Sequence, residues 1–451
     1  MGKEIFQLKI SNKFSFLNLK DFSSKIDELK KRKETTTSEF LEIIFAGALF
    51  LKASDIHIEP LRNEVSLRVR LDGLLYDISF ISLEVYKYLI NRIKILAGLK
   101  INISDIAQDG RFTVFYDQGA IPGSSEAEIE IRTSTNPSEF GESIVLRILN
   151  PGVIAWEFES LGFREDDLDI ALKELKKPNG AILVTGPTGS GKTTTLYAFL
   201  KKVRTSEKKI ITIEDPIEYH LSGVQQTQVN EQAGYTFENG LKSILRQDPD
   251  VILIGEIRDL ATAEIAIHAA LTGHLVFSTL HTNDAIGAIP RLIDLGINPQ
   301  LIGPALNLII AQRLLRRLCD NCKEEIEITK EISDKIKILL TSLSVRVNKE
   351  NYKNPKIYKP KGCEECSGTG YKGRVGIYEL FQVNRDFDNL LMSDNISESK
   401  VEEQAISQGF VCFQIDGILK VLNGITSFDE VERITGPLYW SLFSEGRSRS
   451  G

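Results

Sequence analysis

The sequence predicts an α/β protein in which a parallel-sheet domain follows a smaller mixed α+β domain and precedes a paired-cysteine region and a helical tail. Three observations carry this reading. Apolar runs without alternation at 181–185, 210–213, 251–254 and 275–279 are separated by helical stretches, the pattern of parallel strands buried on both faces. Between the first run and a helix lies Gly186-Pro187-Thr188-Gly189-Ser190-Gly191-Lys192-Thr193, which has the spacing of a phosphate-binding loop. Upstream, apolar and polar residues alternate instead, as in antiparallel strands with one solvated face.

The elements follow in order. Residues 1–34 are rich in Lys, Asp, Glu and Ser, with a basic cluster at Lys30, Lys31, Arg32 and Lys33, and read as an arm and linker. Thr36 and Glu39 have capping-box spacing ahead of Phe40, Leu41, Ile43, Ile44 and Phe45, so a helix should begin near Ser38 and open a first domain at 35–155. Val65, Leu67, Val69 and Leu71 alternate with polar residues, and Asp72-Gly73 turns the chain back into Leu74, Leu75 and Tyr76 as a β-hairpin. Further strands are expected at 128–132 and 144–149, ahead of a break at Pro151-Gly152. The parallel-sheet domain occupies 160–318, the paired-cysteine region 319–380, and short amphipathic helices 381–451.

Composition narrows the function classes. With 451 residues, 42% hydrophobic and 26% charged, the chain is neither fibrous nor mostly disordered. Its longest apolar stretch, 41–51, carries Glu42 and falls well short of the roughly 20 residues that a spanning helix needs. Gly2, Lys3 and Glu4 begin no secretory signal, so a cytoplasmic location is expected. A net charge of −7 has the wrong sign for coating nucleic acid.

In the loop, glycines let successive backbone N–H groups converge on a polyphosphate. Lys192 reaches the β and γ phosphates, Thr193 can ligate magnesium, and Thr194 continues the helix's first turn. Nucleotide hydrolysis also needs carboxylates, for the metal and for water. Glu256 follows the strand at 251–254 as the metal-holding acid, and Glu214, Asp215 and Glu218 follow the strand at 210–213, one of them to handle water. His274 and His281 bracket a strand seven residues apart and either sense the γ phosphate or serve as hydrogen-bonded structural residues. His268 and Cys412 read as core. Cys319-x2-Cys322 and Cys363-x2-Cys366 match a closed tetrahedral structural zinc site, and the long gap between the pairs adds little closure entropy.

Together these motifs resemble one family, the ATPases of type II secretion and type IV pilus assembly, from about Ala53 to Glu379. Ala53-Ser54-Asp55-Ile56-His57-Ile58-Glu59-Pro60, Arg70-Leu71-Asp72-Gly73 and Gln108-Asp109-Gly110-Arg111 are similar to its amino-terminal signatures. Residues 213–218 are similar to its aspartate box, Gly255-Glu256-Ile257-Arg258-Asp259 to its Walker B box, and Thr272-Gly273-His274 through His281-Thr282-Asn283 to its histidine box. The resemblance implies a RecA-like ATPase domain behind a PAS-like one, ATP with Mg2+ as substrate, structural Zn2+, and a homo-hexamer. Glu214 becomes the favoured catalytic carboxylate. Arg132 and Arg147 become arginines that approach the γ phosphate unless they pair with Glu126, Glu128, Glu130 or Glu142, and Arg246 becomes a further functional arginine. Lys242 stands where relatives commonly have Arg, and a lysine offers only a point charge.

The implied work is pseudopilus assembly and protein export by a type II secretion system, with type IV pilus assembly as the alternative. It would be done at the cytoplasmic face of the inner membrane, in peripheral contact with it through platform and scaffold proteins. About 34 leading residues cannot fold the larger amino-terminal domain that many secretion ATPases carry. The tetracysteine motif, which retraction ATPases lack, favours assembly or secretion. A nucleic-acid translocase would need a basic, aromatic-lined channel that the sequence does not suggest, so no nucleic-acid partner is expected. A non-hydrolysing ring component is opposed by intact Lys192, Glu214 and Glu256.

Overall fold

Successive residues of a strand face opposite sides of their sheet, and both seven-stranded sheets of this protein are organised by that rule. The computed structural model describes residues 8–11, 14–32, 35–116, 128–150, 157–391 and 396–440. Lys33, Glu126, the Pro151-Gly152 break and the domain edge at 155 lie outside them. The chain divides into two units: 1–153 with 319–322 and 361–372, and the remainder.

The first unit holds a seven-stranded sheet in the order β1-β5-β6-β7-β2-β3-β4. Its strands are β1 (Leu8–Ile10), β2 (Asp55–Pro60), β3 (Val65–Leu71), β4 (Leu74–Ile81), β5 (Gln108–Tyr116), β6 (Glu128–Ser138) and β7 (Gly141–Leu149), with helices α1 (Leu19–Lys31), α2 (Thr37–Phe50) and α3 (Leu83–Leu96). β1 runs parallel to β5, and the other pairings are antiparallel. The expected capping box forms, with Thr36 Oγ1 accepting from the Glu39 N–H at 3.2 Å. The expected hairpin closes between Leu71 and Leu74, with Asp72 and Gly73 both at positive φ, as a two-residue turn of this hand requires.

The amino-terminal segment is not a linker. Asn18 caps α1, and Phe22, Ile26 and Leu29, spaced four and three apart, are at most 2% exposed. A Cβ at Gly47 of α2 would meet the Phe22 ring at 2.3 Å, so the two helices cross in close contact. Charged residues between these three positions hide the stripe from a compositional reading, but at helical spacing they form one apolar face.

The second unit holds a seven-stranded sheet in the order β10-β9-β11-β12-β8-β13-β16. Its strands are β8 (Gly180–Thr185), β9 (Ile210–Glu214), β10 (Gln225–Gln228), β11 (Val251–Ile254), β12 (Leu275–Leu280), β13 (Leu306–Leu318) and β16 (Tyr371–Gln382), while β14 (Glu324–Glu325) and β15 (Tyr358–Lys359) form a separate pair. β8 to β13 are parallel. Each apolar run serves two cores: Ala181, Leu183, Ile252, Ile254 and Val276 face one, and Ile182, Val184, Val251, Leu253 and Phe277 face the other. Burial on both faces explains why these strands show no polar alternation.

Helices α4 (Glu165–Leu175), α5 (Lys192–Val203), α6 (Phe237–Ile244), α7 (Leu260–Leu271), α8 (Ala288–Asp294), α9 (Pro299–Ala305) and α10 (Lys330–Ser342) connect or flank the strands. The tail forms α11 (Arg385–Leu391), α12 (Glu398–Ser407), α13 (Phe413–Leu422) and α14 (Phe428–Thr435). The paired-cysteine region is not a block of its own, because its two knuckles group with the first unit and the rest of 319–380 with the second.

Phe22→Ala should destabilise the first unit by about 3–5 kcal/mol, the usual loss for truncating a buried Phe. A urea melt followed by fluorescence measures it, and an unchanged midpoint would return residues 18–31 to the status of a linker.

Candidate functional site

The phosphate-binding loop leaves β8 and enters α5. Gly186, Gly189 and Gly191 all have positive φ, which few other residues tolerate. At Gly186 the space is as restrictive as the dihedral, since a Cβ there would lie 2.4 Å from the Gln312 carbonyl oxygen. Gly191 is the N-cap of α5 and has no side chain to occupy the first-turn N–H groups, which suits a phosphate. Lys192 Nζ donates to the carbonyls of Gly186 (2.7 Å) and Pro187 (3.1 Å). Burial pulls its ammonium below the usual range, while Glu256 pulls it back up. Thr188 and Thr193 are exposed, Ser190 is buried and Thr194 half-buried.

Three further strands bring residues to the same edge. Past β11, Glu256 is bonded by Arg258 and lies 3.0 Å from His281 Nε2, which follows β12. Burial raises the Glu256 carboxyl, but these two partners outweigh it and hold it below the ordinary range, so it is ionised at neutral pH. At the end of β9, Glu214 is 4% exposed and both of its oxygens are engaged. Tyr197 donates to Oε2, and Thr212 (2.6 Å) and Gln226 (3.2 Å) donate to Oε1. Asp215 is exposed and Glu218 half-buried. Because β12 lies between β8 and β11, the loop and Glu256 are two strands apart.

Some expected residues are not brought to this edge. His274 precedes β12, and its ring is 3.1 Å from the Ala269 carbonyl. Six strand residues, about 20 Å at ~3.3 Å each, separate it from His281. Arg246 lies before β11, exposed, and donates to the Lys242 carbonyl at 2.9 Å. Lys242 itself pairs with Glu238. His268 is exposed rather than core, because Ala263, Ala266, Ile267 and Ala270 turn the opposite face of α7 inward. Cys412 is buried as expected, and burial pushes its thiol up to about 12. Sequence reasoning missed Tyr197 and Gln226, which hold Glu214, and Gln312, which accepts from Thr195 Oγ1 at 2.7 Å beneath the loop. None of the three carries a local motif.

In the first unit, Arg147 Nε lies 3.1 Å from Asp55, not from the glutamates near it in sequence. Glu142 instead pairs with buried Lys94 at 2.6 Å. Strand register aligns Arg70, Asp55, Arg147, Arg132 and Arg111 in one row across β3, β2, β7, β6 and β5. Directly opposed residues share a sheet face, so four arginines and one aspartate occupy one strip.

The four cysteine sulfurs lie within 4.8 Å of one another. Cys319–Cys363 and Cys322–Cys366 are each 3.8 Å apart and Cys363–Cys366 3.7 Å. Four thiolates about 2.3 Å from a tetrahedral centre would be about 3.8 Å apart, so the cluster has the size of a zinc site. Burial raises the Cys366 thiol, but the N–H groups of Cys363 (3.1 Å) and Gly370 (3.2 Å) outweigh it and bring it down to about 7.

A parallel sheet with this strand order, a loop lysine after one strand and an ionised carboxylate after another define a P-loop nucleotide hydrolase. Within that class the chain belongs to the type II/IV secretion system protein family, whose model matches residues 30–433. Type II secretion system ATPase E of Vibrio cholerae is 41% identical over 423 residues, 92% of this chain and 80% of that protein. Type IV pilus assembly ATPase PilB of Thermus thermophilus is 42% identical over 398 residues, 88% of this chain and 43% of that protein. Among solved structures, the pilus retraction motor PilT with bound ADP is 27% identical with a TM-score of 0.56, covering 87% of this chain and 96% of that one. The Legionella pneumophila ATPase DotB shares the fold at 20% identity, with a TM-score of 0.63 and coverage of 90% and 97%. Among the described residues no helix is long and apolar enough to cross a membrane.

Tyr197→Phe should lower stability by about 1.5–3 kcal/mol, the range for a hydrogen bond to a charged group, because it strips the donor from a buried Glu214 oxygen. Thermal unfolding measures this, and an unchanged transition would show that Glu214 does not depend on Tyr197.

Proposed function

We propose that this chain hydrolyses ATP with Mg2+ to drive a type II secretion system. The observation that carries the reading is the gathering of Lys192, Glu256 and His281 at one sheet edge, in a chain that aligns over most of its length with a secretion ATPase. Type IV pilus assembly is the second reading, favoured by an identity to PilB of 42%, against 41% to the secretion ATPase. In the proposed cycle Lys192 leaves its loop carbonyls for the β and γ phosphates, Thr193 and Glu256 hold the metal, and His281 follows the γ phosphate. Arg132 and Arg147, from the charged strip of the first unit, add positive charge as the γ phosphate leaves. The domains are read as RecA-like and PAS-like, the latter supported by the order β5-β6-β7-β2-β3-β4 around one sheet. A homo-hexamer working with inner-membrane platform proteins at the cytoplasmic face is the assembly this reading implies.

For water, the resemblance favours Glu214, which could act once Gln226 yields Oε1. Half-buried Glu218, which follows the same strand, is the competitor.

Lys192→Ala should abolish ATP binding and turnover without changing far-UV dichroism, and persistent hydrolysis would refute the site. Glu214→Gln should keep ATP binding and lose at least about tenfold in turnover, as for a group acting only in the transition state. A loss confined to Glu218→Gln would move the role to that residue.

The cysteine cluster fits a structural zinc, with Cys319, Cys322, Cys363 and Cys366 filling every ligand position and none left for water. Protein purified without added zinc should hold about one equivalent per chain. Retention of the metal by the Cys363→Ser, Cys366→Ser double variant would place it elsewhere.

A further inference from the structure

The loop that carries His281 is fastened at both ends. At its start, Thr185, the last residue of β8, accepts from the Thr282 N–H at 2.9 Å, and its hydroxyl lies 2.7 Å from the Thr282 hydroxyl. At its far end, the Ala285 N–H donates to Glu379 Oε2 at 3.1 Å. The other oxygen of Glu379, on β16, accepts from the N–H of Phe413, the first residue of α13, also at 3.1 Å. Glu379 is 5% exposed. On β13, Arg313 makes a second bridge, from the same loop to α14. It donates to the Asn283 carbonyl (3.3 Å) and to the Ile434 carbonyl in the last turn of α14 (2.7 Å), with its guanidinium 5.1 Å from the centre of the Phe413 ring.

Two charged side chains from neighbouring strands thus join loop 282–285 to the carboxyl-terminal helices. A carboxylate that served only as a helix cap would have no need of Ala285. Giving one oxygen to each backbone N–H sets the separation of two segments that are 128 residues apart in the chain. Any shift of the loop as His281 tracks the nucleotide is then passed to α13 through one buried group, and any displacement of α13 returns to His281.

We propose that Glu379 is a positioning residue for ATP hydrolysis, acting with Arg313 to hold loop 282–285 so that His281 faces Glu256, and so coupling the carboxyl-terminal helices to the active site. This rests on the reading of His281 given above. In Glu379→Gln one oxygen becomes an NH2 group, which cannot accept from the backbone N–H it faces, so one of the two attachments is lost while the volume is kept.

The test uses the full chain and measures turnover, ATP affinity and thermal unfolding for Glu379→Gln, His281→Ala and the double variant. Turnover of Glu379→Gln should fall about tenfold with ATP affinity within about twofold of the parent, and the double variant should be no slower than His281→Ala alone. Parent-like turnover in Glu379→Gln beside an impaired His281→Ala overturns the positioning role and leaves the histidine reading standing, as does a double variant whose loss is the product of the two single losses. Parent-like turnover in His281→Ala removes the histidine reading and this proposal with it. If Glu379→Gln does not fold, Arg313→Gln, whose side chain is only half-buried, takes its place in the same cycle with the same outcomes.

Discussion

A parallel strand buried on both faces meets solvent only where it ends, and the second unit is arranged around that constraint. Lys192 follows β8, Glu214 ends β9, Glu256 follows β11 and His281 follows β12, all at the carboxyl edge. Parallel alignment puts these ends together, and Glu256 and His281 meet there at 3.0 Å. The same constraint sends His274 and Arg246 away, because both precede their strands. It also makes the loop's backing strict. Gln312 presses its carbonyl against Gly186 and its side chain holds Thr195, so β13 fixes both the glycine and the helix that follows.

The first unit meets a different constraint. In an antiparallel sheet, register decides which residues share a row. Here it sets four arginines beside a single aspartate, an arrangement that is self-repelling without an anion or carboxylates nearby. Asp55, at 5% exposed, is the anchor of that row, with Arg70 at 3.3 Å and Arg147 at 3.1 Å. The core beneath begins earlier in the chain than its charge content suggests, since Phe16 packs edge-on against Phe22 of α1 at 5.4 Å.

Much of the carboxyl edge of the second unit's sheet was legible before any coordinate, and for local reasons. The phosphate loop and the cysteine knuckles are runs of adjacent residues whose geometry follows from their own spacing. The acids were legible because an uninterrupted apolar run announces its own end. The capping box at Thr36 and the Asp72-Gly73 turn belong to the same kind of signal.

By itself, then, the sequence determined the class of chemistry, the glycine-rich loop between strand and helix, the four cysteines that cluster and the places where carboxylates emerge. Tertiary structure alone decided that Glu214 is enclosed by Tyr197, Thr212 and Gln226, that Arg147 answers Asp55 across 92 residues, and that Glu379 joins Ala285 to Phe413. The physical reason is the range of the interactions. Turns, caps and loops are settled within a few residues by backbone dihedrals and nearby hydrogen bonds. Strand order and register are settled by which apolar faces bury one another, and no single stretch of chain carries that information.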